Sequence, residues 1–369
     1  MTDIPADLAR DRFADLARSV ALGAVILGHW TMAAVSVDTD GSLHVGNVLA
    51  DARWAWPATW LLVLIGIFFV VGGFANATSL ARARARGLTA AAWVRRRLAG
   101  LLRPVVPFVA LVLAVVGVAL LAGAPRPLTA TVAVAVLMPL WFLAVYAVLV
   151  VLAPLGLRLD ARWGWRVWVV MSLAAVGVDA VRILTDVPWY GYVNYVLVWG
   201  LAQQLGFAYR DGRLTRVRAP GLVVWAVAGF GAMALLASSG GWSWSMVGLP
   251  GDRSPMNPPS TMALAHVWAQ VPLALLARRA LAGRLDGPRV APALDWVADA
   301  SLRAFLWHLP LYVVATAVWF AAGWPFPEPA SGVWWATRPL VLVVLGAVLV
   351  VLLGLPARVR RRRARTSGA

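Results

Sequence analysis

The 369-residue chain contains no cysteine and no lysine, and charged side chains make up only 13% of it. Without cysteine there are no disulfides, thiolate metal sites or cysteine nucleophiles to consider, and no redox compartment can be read from the composition. Without lysine there is no phosphate-binding loop ending in Gly-Lys-Ser/Thr. HExxH and GxSxG patterns are also missing, and no metal site is expected. The shortage of charge excludes most. About a quarter of a soluble domain is charged, so a chain that is 61% apolar with a mean hydropathy of +0.77 lacks the polar surface of a water-soluble enzyme.

What the chain does have is a series of apolar stretches, near 16–37, 58–77, 104–123, 132–156, 167–184, 189–208, 221–239, 261–277, 295–321 and 337–356. Each is long enough to cross a bilayer. This predicts an all-α polytopic membrane bundle of about ten spans, forming one domain over 1–369 with a short basic tail at 357–369. Every cation is arginine, and the 33 arginines are sided. If the N-terminus is cytoplasmic, 28 fall in inner connections or at inner helix ends and 5 (Arg53, Arg126, Arg182, Arg253 and Arg338) fall outside. The positive-inside rule then places both termini in the cytoplasm. The basic pI of about 11.6 becomes a matter of orientation, and no nucleic-acid partner is expected. The expected partner is the lipid bilayer, and the expected location the plasma membrane of a bacterium whose GC-rich genome favours arginine and alanine codons. Oligomeric state is not encoded in these features.

Chemistry is suggested first by DLARSVALGAVILGH, which puts Arg18 and His29 on one helix with ten residues between them. Eleven steps of about 100° bring the two side chains to nearly the same face, about 16 Å apart along the axis. Arg18 would lie at the cytoplasmic interface and His29 past mid-membrane, where ionisable groups are costly and face a cavity or the bundle interior. Position alone leaves His29 open between a functional residue and one hydrogen-bonded to a neighbouring helix.

Several segments, in order, resemble the acyltransferase-3 family of membrane acyltransferases. Asp15, Arg18 and His29 match its Asp-x-x-Arg pattern with a histidine on the first span. FFVVGGFANATS (Phe68 to Ser79) resembles the end of its second helix, followed by the basic connection WVRRRLAGLLRPVVPF. PLWFLAVY (Pro139 to Tyr146) and FLWHLPLY (Phe305 to Tyr312) are similar to its Trp-Phe-Leu and aromatic-His-Pro segments. One departure concerns the family's Arg-x-x-Arg pair: Arg97 is followed three residues later by Gly100, so Arg103, or Arg96 with Arg97, stands in that role.

The resemblance implies transfer of an acyl group, usually acetyl, from cytoplasmic acyl-coenzyme A to a hydroxyl of a sugar, glycan or glycosylated acceptor. Arg18, Arg96, Arg97 and Arg103 would meet the coenzyme phosphates, as bidentate guanidinium contacts allow. The alternative for these arginines is topology charge and attraction to anionic lipid. His29 suits a general base, with an acyl-histidine intermediate as a second route, and Asp15 would hold Arg18. His308 is a secondary catalytic or binding candidate. His266 reads as a packing residue and His44 as solvated. Asp179 and Arg182 read as a structural pair, and Asn194 as a hydrogen bond between helices. In the loop near 240–260, Trp242, Trp244 and Asn257 are candidate acceptor contacts, the alternative being an interfacial aromatic belt. GFGAMA (Gly229 to Ala234) reads as helix packing, and the Asn76-Ala77-Thr78 sequon as inert. A transporter or exporter of a small or lipid-linked molecule is the alternative function; no internal repeat supports it.

Overall fold

A computed structural model describes residues 11–37, 43–249 and 251–366, with side chains described as far as Gly354. The side chains of the tail expected at 357–369 therefore lie outside the described residues, as do Arg10 and Pro250. Within the described residues helices predominate, and the one sheet is a pair of strands. The helices are α1 (Arg12–Met32), α2 (Thr59–Leu62), α3 (Ile65–Ala85), α4 (Ala90–Leu121), α5 (Arg126–Leu137) and α6 (Leu140–Trp163). They continue as α7 (Trp165–Thr185), α8 (Asn194–Arg210), α9 (Ala219–Ser238), α10 (Thr261–Ala280), α11 (Val290–Ala321) and α12 (Gly332–Thr366). Strands β1 (Ala33–Val37) and β2 (Leu43–Asn47) pair antiparallel, with Val35 opposite Val45.

Local chemistry sets these boundaries. Asp11 Oδ1 accepts the Ala14 amide at 3.0 Å and starts α1, and Ser260 accepts the Met262 and Ala263 amides to start α10. Helix α3 ends on Gly87, whose φ of +75° suits a residue without Cβ. The amides of Gly87 and Leu88 return to the carbonyls of Arg84 and Ala83, so the last turn is closed by backbone alone. Gly123 closes α4 in the same way.

Among the described residues, seven helical stretches are long and apolar enough to cross a membrane, with mean hydropathies from 1.6 to 2.7. Three other expected spans, over 16–37, 189–208 and 261–277, also form helices, α1, α8 and α10, but carry polar side chains that lower their hydropathy. Three expected stretches are interrupted. Helix α1 stops at Met32 and the chain turns into β1. Pro139 lies between α5 and α6, where its missing amide and restricted neighbour end a helix. The stretch at 58–77 begins with a 3₁₀ turn (Arg53–Ala58) and breaks at Val63 and Leu64 before α3.

The chain divides into two compact units. One holds the residues up to Ala24, Trp54–Leu102 and Trp141–Ala298; the other holds Val25–Arg53, Arg103–Leu140 and Asp299–Ala369. In the first, α3 packs on α8 through glycines: a Cβ on Gly73 would run into the Gln203 backbone, and one on Gly206 into Val70 O. Helix α9 meets α10 at Gly229, where a Cβ would lie 2.6 Å from the Ala269 Cα. This is the packing role expected of the GFGAMA segment. Asn194 donates to Ala175 O at 3.2 Å and links α8 to α7. Asp179 and Arg182 form the expected pair at 2.7 Å, and Asp179 also accepts the first amide of α10. Tyr209 donates to Asp11 at 2.7 Å and accepts from Arg278 at 2.8 Å, which anchors the start of α1 to α8 and α10. In the second unit, Ile26 and Trp30 of α1 pack with Ala300 of α11 and Leu345, Leu349 and Leu353 of α12.

Candidate active site

In the second unit, α1 and α11 bring two histidines together. His29 lies in the last turn of α1, and its Nδ1 is 2.9 Å from Nε2 of His308, which is fully buried. The ring planes are 7° from parallel and the centroids 5.2 Å apart, so the imidazoles meet edge to edge through their nitrogens. His308 Nδ1 lies 2.6 Å from Phe305 O. A carbonyl can only accept, so Nδ1 of His308 carries the hydrogen. With His308 neutral, its Nε2 then accepts and His29 Nδ1 donates, which leaves Nε2 of His29 with an open lone pair. One backbone carbonyl thus fixes the tautomers of both rings.

The surroundings hold this pair in place. Trp30 Nε1 donates to His308 O at 2.9 Å. Two side chains cap the end of α1: Tyr312 donates to Ala33 O at 3.0 Å, and Arg338 donates to Trp30 O at 3.4 Å. The Arg338 guanidinium lies 3.9 Å above the ring of buried Trp334. A cation beside the last carbonyls of a helix is favourably placed against its dipole.

In the first unit, Arg18 Nη2 donates to Asp15 at 3.4 Å, the pairing expected from their spacing, while Arg18 Nε is buried without a hydrogen-bond partner. The arginines after α3 separate into two kinds. Arg95 and Arg96 are exposed on α4, whereas Arg97 is half-buried and held by Asn76 of α3 and Tyr146 of α6. Arg103 is exposed and belongs to the second unit.

The other expected residues are held by contacts of their own. Trp242 is buried beneath Arg182, 5.4 Å from its ring. Trp244 stacks on Trp60 with centroids 5.4 Å apart. Asn257 accepts a hydrogen bond from Tyr195. These three side chains thus have three different partners. His266 donates to Trp60 O at 2.9 Å, and Gln270 donates to Trp60 O and Val63 O, so α10 satisfies the carbonyls freed by the break before α3. His44 is exposed on β2. Among the described residues no group of three or more His, Asp or Glu is placed to hold a metal ion.

Sequence reasoning passed over Asn76, Tyr146 and Gln203. Two signals pointed to Asn76 and Gln203: the first polar side chain after the apolar start of α3, and the adjacent amides Gln203 and Gln204 inside α8.

Long apolar helices define a multi-pass membrane protein, and the paired imidazoles of His29 and His308 are its candidate site. The sequence profile of an acyltransferase domain matches residues 11–358, nearly the whole chain, and the protein belongs to this acyltransferase-3 family. It is a membrane acyltransferase. No curated protein and no solved structure matches the chain.

Proposed function

We propose that the protein is an O-acyltransferase that takes an acyl group, acetyl in the simplest case, from cytoplasmic acyl-coenzyme A and gives it to a hydroxyl of a sugar, glycan or glycosylated acceptor. The observation that carries this reading is the Phe305 O, His308, His29 chain, which leaves Nε2 of His29 as the open basic atom. In the proposed reaction the acceptor oxygen attacks the thioester carbonyl. His29 Nε2 takes the hydroxyl proton, the carbon–sulfur bond breaks, and the proton passes to the departing thiolate. The alternative route forms an acyl-imidazole on the same Nε2 before the acceptor attacks. His308 acts as a positioning residue through the tautomer it imposes. Arg18, Arg96, Arg97 and Arg103 are assigned to the coenzyme phosphates, with Asp15 orienting Arg18, and Trp242, Trp244 and Asn257 to the acceptor side.

The accompanying topology is ten spans, α1, α3, α4 and α6 to α12, with both termini in the cytoplasm of a bacterial plasma membrane. Purified protein in lipid nanodiscs, incubated with acetyl-coenzyme A labelled in the acetyl group, is expected to release coenzyme A and pass the label to a hydroxyl acceptor extracted from the source membranes. Rapid denaturation at neutral pH separates the two routes, since an acyl-imidazole, which acid would hydrolyse, leaves label on the protein. If the label stays on coenzyme A in the presence of membrane extract, the reading is wrong.

A further inference from the structure

Arg97 differs from its neighbours in what holds it. In the first unit Arg12, Arg18, Arg182, Arg213 and Arg278 each lie against an aspartate. Arg97 has no carboxylate partner among the described residues. Its Nε donates to Asn76 Oδ1 at 3.4 Å and its Nη2 to Tyr146 OH at 3.2 Å. Tyr146 OH in turn donates to Asn76 Oδ1 at 3.2 Å. Asn76 is fully buried, and its Nδ2 donates to Gln203 Oε1 at 3.0 Å. Gln203 Nε2 donates to Leu149 O at 3.2 Å.

The direction of this chain is set at its far end. Leu149 O can only accept, so Gln203 turns its Nε2 to it and its Oε1 towards Asn76. Asn76 must then donate to Gln203 and present its own oxygen to Arg97. Nε and Nη2 form one edge of a guanidinium, and here both are taken by neutral groups. The other edge, between the two Nη groups, keeps its donors, and the full positive charge stays uncancelled. That edge matches two oxygens of a phosphate.

We propose that Asn76 and Tyr146 are positioning residues that turn Arg97, already assigned to the coenzyme phosphates, into a phosphate fork. This rests on the acyl-coenzyme A reading. An aspartate at position 76 would hold the same edge but cancel the charge; the amide keeps the geometry and leaves the charge for the ligand.

The test compares the parent, Asn76→Asp and Tyr146→Phe, all checked for folding by thermal melting in detergent, for binding of coenzyme A and of inorganic pyrophosphate. Asn76→Asp is expected to weaken both by about tenfold or more, since it sets a like charge beside the bound anion. Tyr146→Phe is expected to weaken both by about threefold to fivefold, the loss of one hydrogen bond. In transfer assays the KM for acetyl-coenzyme A should rise in both variants, while that for acetyl-pantetheine, which carries no phosphate, stays at the parent value. Retained pyrophosphate affinity in Asn76→Asp, or an equal KM rise for both donors, overturns the proposal. If Asn76→Asp does not fold, the donor comparison in Tyr146→Phe decides alone. Parent protein that binds pyrophosphate but not coenzyme A keeps the fork and removes the acyl-coenzyme A reading. Parent that binds neither removes the fork.

Discussion

Replacing His29 with glutamine is expected to lower acyl transfer by about 10²- to 10⁴-fold, the usual contribution of a positioned general base, while coenzyme A binding and thermal stability stay near the parent values. Glutamine can still donate to His308 Nε2 but offers no basic lone pair in place of Nε2. His308→Phe should lower the rate by about 10²-fold by a different route. Without the acceptor at 2.9 Å from His29 Nδ1, His29 is free to carry its hydrogen on Nε2 instead, and the basic atom is lost in that fraction of molecules. The double variant should be no slower than His29→Gln alone, because residues that act as one unit lose their effect together. Single-turnover transfer of labelled acetyl, measured beside coenzyme A binding, checks all three. Full activity in His29→Gln would assign the proton transfer elsewhere. Additive losses in the double variant would mean that His308 works independently of His29.

Much of this arrangement was legible in the residues because its partners lie close along the chain. Asp15 and Arg18, or Asp179 and Arg182, are one helical turn apart, and spacing alone places them together. Long-range pairs were not. His29 and His308 are 279 residues apart, and Asn76 and Gln203 are 127 apart, so neither pair has any local signature. Asn76 therefore read only as an inert sequon, although its side chain orients Arg97. The interruptions were hidden for another reason. Val35 and Val37 are as apolar as a helix requires, so hydropathy continued the first span through residues that pair with Leu43–Asn47 instead. At the break over Val63 and Leu64, the freed carbonyls of Trp60 and Val63 are satisfied by His266 and Gln270, about two hundred positions away. Trp242, Trp244 and Asn257 were visible as residue types, but their pairing with Arg182, Trp60 and Tyr195 depended on the fold.

Gly206→Val is expected to abolish recovery of folded protein, and Gly206→Ala to cost about 3 kcal/mol, the upper end of overpacking penalties. The reason is what a side chain would meet. A Cβ at Gly206 would overlap Val70 O and lie 2.7 Å from Phe74 N and 2.9 Å from Gly73 Cα. Backbone on both sides cannot rotate away as a side chain end can, so α3 and α8 would have to separate. Those same helices carry Asn76 and Gln203, whose 3.0 Å hydrogen bond fixes the amide that faces Arg97. Any folded fraction of Gly206→Ala should therefore lose affinity for coenzyme A along with stability. Gly231→Ala serves as the comparison: it lies on α9, and a Cβ there meets nothing within 4 Å. It should melt at or slightly above the parent temperature, since alanine is the better helix former. Thermal melting in detergent with and without coenzyme A measures both effects. Equal melting of Gly206→Ala and Gly231→Ala would mean that α3 and α8 do not meet at these glycines.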